Sequence, residues 1–308
     1  MRRRPKAPPS PLAQRDGIDP VRLRLPEDTE GAWRTVADHL RARYGSERAD
    51  ALFREGRIVS VDGPVAADEP YAAGRYLWFH REFAPEDRVP FEIGIVHRDE
   101  RLLIVDKPHF LATTPRGSHI TETAQARLRR DLALPEVQPA HRLDRLTAGL
   151  VLCVVRAEDR GAYQALFSAR RVRKEYEAVA PYDPEVELPR TVRSRIVKER
   201  GVPAAYEEAG EPNSESRIEL LEHRAGLGRY RLLPTTGRTH QLRVHMNSVG
   251  LPLLDDPLYP DVLEGPPGRP EDWSRPLQLL AKVLAFTDPV TGEPHRFESR
   301  LRLAQWPR

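Results

Sequence analysis

The 308-residue sequence predicts an α+β fold: a mostly antiparallel, extended mixed sheet with flanking helices, preceded by a small α/β module. Short apolar and β-branched runs, separated by Gly, Pro and Asp, recur from Phe91 onward and read as strands joined by turns. Proline, at 30 residues, disfavours a helical bundle. The length exceeds the roughly 100–200 residues usual for one domain, which leaves room for a second unit.

Residues 1–30 hold Arg2, Arg3, Arg4, Lys6, Arg15, Arg22 and Arg24 with little to bury, and predict a disordered basic leader. Its simplest use is a solvated tail; the alternative is a weak phosphate-binding arm. Residues 31–83 form the small module. Trp33, Val36, Ala37, Leu40 and Tyr44 share one helical face, Ala49 to Arg54 offers a second short helix, and GRIVSVDG reads as a hairpin. Two helices and a hairpin resemble a degenerate RNA-binding module of the S4 type. Residues 91–308 form the main domain, with strands expected in IGIVH, LLIVDKP, GLVLCVV, EYEAVA, RIELLE and GRYRLLP. Residues 201–216 and 263–275 are polar and turn-rich and read as loops.

Composition narrows the function. Lys and Arg number 49 against 46 Asp and Glu, so attraction to nucleic acid must come from how charge is distributed. One cysteine cannot close an intramolecular disulfide. The start, MRRRPKAPPSPL, runs into prolines where a signal peptide needs apolar residues, so a cytoplasmic location is expected. The longest apolar run, near 148–155, falls far short of the ~20 residues that span a bilayer, and no membrane partner is expected. No P-loop or GxGxxG is present, and no cofactor is expected.

Three segments carry chemistry. HRLDRLTAGLVLCVV sets His141, Arg142, Asp144 and Arg145 before a buried strand. A carboxylate between two arginines would stay ionised and could act as nucleophile or base; the plainer reading is a salt-bridged loop. From His223 to Leu254 the chain carries five arginines, three histidines and no acidic residue, a phosphate-facing composition. Within it, TGRTHQLRVH offers Arg238 and places His240, Arg243, Val244 and His245 on one short helix. A zinc site there lacks a cysteine or nearby carboxylate to complete it. ARRVRKEYEAVA sets Arg170, Arg171, Arg173 and Lys174 before Tyr176, a basic and aromatic pairing suited to phosphates and a base.

Taken in order, LLIVDKPHFLATTPRG, HRLDRLTAGL, RKEY and PTTGRTHQLRVHM resemble the RluA-type family of pseudouridine synthases, over roughly residues 91 to 300. The resemblance implies the catalytic fold of that family and site-specific isomerisation of uridine to pseudouridine in structured RNA, ribosomal first and transfer RNA second. It implies Asp144 as the nucleophile, Arg243 as its basic partner and Tyr176 as the ring that stacks on the target base and assists proton removal. Arg142 would enter the RNA stack as the uridine leaves, with His141, Arg145, Lys174, Arg238 and His240 as further RNA-binding residues. No metal, cofactor or obligatory protein partner is implied. The competing readings are a catalytically inactive RNA-binding or ribosome-assembly factor and a hydrolase with a carboxylate pair, which lacks an evident acid partner. Ala148, Asp255, Leu280 and Asp288 depart from the residues common in the family.

Overall fold

The computed structural model describes residues 7–263 and 271–307, so the first six residues of the expected leader lie outside it. The described residues form two compact units, one ending at Pro85 and one starting at Glu86.

The first unit contains β1 (Val21–Arg24), α1 (Val36–Tyr44), α2 (Ser46–Arg54), β2 (Val59–Ser60), β3 (Gly63–Pro64) and β4 (Tyr76–Phe79). A capping box starts α1: the Thr35 hydroxyl accepts from the Asp38 N–H while the Asp38 carboxylate accepts from the Thr35 N–H. That cap places the helix start at Val36 and leaves Trp33 ahead of it. Val36, Leu40, Ala49 and Leu52 bury against Leu23, Leu77 and Phe79 of a sheet ordered β1-β4-β2-β3. β1 corrects the expected leader. Leu23 and Leu25 are buried while Arg22 and Arg24 are exposed, so this basic stretch is an alternating strand paired along β4.

The second unit contains β5 (Gly94–Arg98), β6 (Leu102–Lys107), α3 (Ala124–Asp131), β7 (Gln138–Pro139), β8 (Ala148–Val154), α4 (Arg160–Ser168), β9 (Arg173–Pro181), β10 (Arg190–Val197), β11 (Tyr206–Glu208), β12 (Ser214–Arg224), β13 (Leu227–Pro234), α5 (Gln241–Ser248), β14 (Leu279–Thr287) and β15 (Pro294–Glu298). Its 11-stranded sheet runs β11-β10-β12-β13-β9-β14-β8-β6-β5, with β15 on β14 and β7 on β8. Every named pairing is antiparallel except β14 with β8, giving the mixed, mostly antiparallel sheet that the sequence predicts. β6 and β8 are buried along their whole length, the apolar run of β6 ending in the buried pair Asp106 and Lys107, whereas β13 alternates in LGRYRLLP. The expected loop at 201–216 contains β11 and the start of β12, because Glu207 and Glu208 pair across to Ile196 and Arg195.

The parallel joint explains one glycine. Gly149 sits at φ 111 opposite Ala281, and a Cβ there would lie 2.7 Å from the Ala281 nitrogen. Gly149→Ala should therefore cost about 3 kcal/mol in urea unfolding, from overpacking plus a strained backbone. A loss under about 1 kcal/mol would show that the joint can open to admit a methyl group.

Candidate active site

The turn at 141–147 lies between β7 and β8, and side chains of β9, β14 and α5 line a cavity with it. The turn is pinned from several sides. Thr113 donates its hydroxyl to the Leu143 carbonyl at 2.8 Å and accepts from the Leu143 N–H at 3.1 Å. His109 Nδ1 donates to the Leu146 carbonyl at 2.7 Å, and His141 Nε2 accepts from the Leu152 N–H at 3.0 Å. Lys107, with no exposed surface, directs Nζ at the carbonyls of Pro108, Leu111 and Arg145, at 2.9, 2.8 and 3.2 Å. Burial lowers this lysine toward about 7 while the nearby Asp144 charge opposes the shift. The pinning uses main-chain groups of the turn, so the Asp144 side chain is free to face the cavities beside it.

Asp144 and Arg243 line one cavity of about 420 Å³ and, with Tyr176 and Lys174, a smaller one of about 100 Å³. Tyr176 enters from β9, between Leu232 of β13 and Ala281 of β14. Burial, then the Asp144 charge, raises the Tyr176 phenol and keeps it protonated. Arg243 enters from α5. The turn before that helix is organised by Gln241, whose Oε1 accepts from Thr236 Oγ1 at 2.7 Å and the Arg238 N–H at 3.0 Å, while Nε2 donates to Ser216 Oγ at 2.8 Å.

Arg243 meets a carboxylate that the sequence reading missed. Its Nε and Nη2 lie 2.8 and 2.5 Å from the two oxygens of Asp256, with side-chain exposures of 2% and 0%. Asp256 also accepts the Leu258 N–H, and the Tyr259 ring lies 5.2 Å from the guanidinium carbon. Burial disfavours the charged guanidinium, but the Asp256 hydrogen bonds and charge, then the Asp144 charge, hold it more firmly protonated than a free arginine. The expected direct Arg243–Asp144 ion pair is thus replaced by Arg243–Asp256, with Asp144 close enough to be felt. Asp256 follows Asp255 in LPLLDDPLY, where two adjacent acids in a proline-rich stretch gave no sign of which one turns inward. With both oxygens committed, Asp256 is no proton donor for the hydrolase reading.

The other expected residues divide. Arg142 is exposed and lines the cavities on both sides of Asp144. Arg145 lines the larger cavity but is held in a two-pronged pair with Glu271, each contact 2.7 Å. Lys174 donates to the Thr236 carbonyl at 2.8 Å, and burial lowers it to about 8. Arg238 is exposed. His240 is lowered to about 4 chiefly by burial and lies 3.0 Å from the Tyr259 hydroxyl. The basic face expected from 223–254 is partly cancelled by partners on other strands, since Arg229 pairs with Glu222 and Arg231 with Glu219. Among the described residues no group of three His, Cys, Asp or Glu side chains is placed to hold a metal ion, and no helix is long and apolar enough to cross a membrane.

Three histidines around this site, His245 buried and His109 and His141 half-buried, give it an acid limit. Burial lowers His109 and His245 to about 4 and His141 to about 3, against 6.5 for a free imidazole. The unfolded chain binds those protons below about pH 6.5 and the fold does not until near pH 4, so stability falls as pH drops through that window. The melting temperature should be lower at pH 5 than at pH 7.5 by about 5 °C or more in calorimetry. An unchanged value would mean that these rings are already solvated in the fold.

Comparison with known proteins converges on one family. Residues 101–248 match the family model described as RNA pseudouridylate synthase. The dual-specificity RNA pseudouridine synthase RluA of Pasteurella multocida is 32% identical over 216 residues, covering 65% of this chain and 90% of that protein. The ribosomal large subunit pseudouridine synthase D of Pseudomonas aeruginosa is 28% identical over 284 residues, covering 86% and 87%. Among solved structures, human RNA pseudouridylate synthase domain containing 1 superposes with a TM-score of 0.54 at 25% identity, covering 72% of this chain and 94% of that one.

Proposed function

Because the chain belongs to the RNA pseudouridylate synthase family, we propose that it isomerises uridine to pseudouridine in ribosomal RNA, with transfer RNA as the second choice of substrate, in the cytoplasm. The observation that carries the reading is the single pocket shared by Asp144, Tyr176 and Arg243. An uncatalysed binding factor has no need of a carboxylate kept clear of its own turn and aimed at that space. The pocket is lined by the Tyr176 ring, four cations (Arg142, Lys174, Arg238 and Arg243) and one acid, and a uracil could reach it only after leaving the RNA stack, a cost of a few kcal/mol. Stacking on Tyr176 and filling of the vacated space by Arg142 would offset that cost. Asp144 attacks the ribose C1′ as the N-glycosidic bond breaks; the uracil turns and rejoins C1′ through C5 as the bond to Asp144 breaks, and C5 then loses its proton while N1 gains one, so that the carboxylate is regenerated.

Tyr176 does not begin as a phenolate, so any proton it takes from the ring carbon must be matched by release of its own. Tyr176→Phe keeps the ring and loses that exchange: single-turnover rates should fall about 100-fold with RNA affinity little changed. An equal rate would leave the tyrosine a stacking role alone. The substrate is tested by mapping pseudouridine in ribosomal and transfer RNA from cells lacking the gene and from cells rescued by the wild-type protein. Loss and return of a ribosomal site is expected; a change confined to transfer RNA would move the substrate there, and no change at any site would defeat the reading.

A further inference from the structure

A third cavity, of about 480 Å³, lies on the Tyr176 side of the turn and shares Arg142, Lys174, Tyr176 and Arg238 with the reacting pocket. Its far wall is the end of α4, which none of the expected site residues includes. Phe167 of that helix stacks on His141 with ring centroids 4.4 Å apart and planes at 23°. The His141 ring nitrogen is already occupied by the Leu152 N–H, so the pair contributes ring surface and no positive charge. Gln164, one turn earlier, is exposed and lines the same cavity, and its amide has no hydrogen-bond partner among the described residues. Arg170 follows the helix at φ 57, a conformation that favours glycine, yet the position holds an arginine that lines the cavity. Arg142, Arg170, Lys174 and Arg238 surround the opening and no carboxylate lines it. The carboxylate that acts on Arg170, Glu215, is held by Arg193.

An aromatic floor, a cationic rim and one free amide are the components that hold a single unpaired nucleotide: ring stacking for the base, cations for its phosphate, and a donor–acceptor pair for its edge. The volume falls within the range of sites that enclose one small ligand. We propose that this cavity is a second nucleotide subsite, holding an unpaired nucleotide next to the target uridine in the RNA chain, with Gln164 reading its base and Arg170 holding its phosphate. The proposal rests on the pseudouridine synthase reading and assigns α4 a part in choosing the substrate.

Three experiments on the full chain test it, one independent of turnover. Ultraviolet cross-linking of a 4-thiouridine hexanucleotide should attach RNA to the peptide holding residues 164–170, and Arg170→Gly, which removes the cation while suiting the backbone, should cut the yield about fivefold or more. Cross-links that fall elsewhere and ignore Arg170 would overturn the subsite. In cells, Gln164→Ala should relax the nucleotide preference at one position flanking the modified uridines, adding new sites; an unchanged flanking preference would overturn the reading role of Gln164. On a mapped target, Arg170→Gly should raise KM about tenfold with a smaller effect on kcat. If the wild type cross-links through residues 164–170 but forms no pseudouridine, the nucleotide subsite stands and the proposed reaction falls.

Discussion

Asp144→Ala should abolish pseudouridine formation, lowering the single-turnover rate by on the order of 10⁴ or more, while RNA affinity stays within about threefold of the wild type. The separation of the two effects follows from how the turn is built. Its shape depends on Thr113, His109, Lys107 and main-chain groups, none of which bonds to the Asp144 carboxylate, so truncation removes a reacting group and leaves the loop in place. Asp144→Asn, with the same volume and no charge, should be equally inactive. Residual turnover within about 100-fold of the wild type would refute Asp144 as nucleophile, because no other carboxylate lines the reacting pocket.

Asp256→Ala should be the most destabilising single change near the site. It leaves the Arg243 guanidinium buried without its partner, a situation that costs about 3–5 kcal/mol. Denaturant unfolding reads the loss directly, and a cost under about 1 kcal/mol would mean that Arg243 finds another acceptor, Asp144 being the nearest candidate. Removing both charges is a different experiment. Arg243→Met combined with Asp256→Leu fills similar volume with apolar atoms and should regain most of the lost stability, since a buried pair often contributes little net. That variant should still be inactive, because the positive charge felt by Asp144 is gone. Recovery of stability without activity would separate the structural use of the pair from its catalytic use.

Much of the site is legible in the sequence because its residues sit in short segments whose local chemistry is unusual. An Asp between two arginines before a buried strand, and a basic run ending in Tyr176, mark themselves. What local sequence conceals is the partner on another element. Arg243 pairs with Asp256, 13 residues on and across a turn, and Arg145 with Glu271, 126 residues away. The same limit hid the neutralisation of Arg229 and Arg231, because Glu222 and Glu219 face them only once β12 pairs with β13. In the first unit the arginines of 1–30 outweighed Leu23 and Leu25, although alternation of those two leucines with Arg22 and Arg24 was itself a strand pattern. Gln241 gave no signal: a glutamine gains its organising role only from the carbonyls and hydroxyls that surround it.

The parallel joint between β8 and β14 also sets an order of assembly. Ala148 and Leu280 meet across about 130 residues of intervening chain, a long loop to close, whereas β6 and β8 join over about 40 and β12 and β13 over a tight turn. Tyr176 is flanked in the sheet by Ala281, so one wall of the reacting pocket does not exist until β14 has been synthesised and has found its place between β8 and β9. A nascent chain on the ribosome can therefore complete the β9 to β13 half of its sheet while the pocket still lacks that wall.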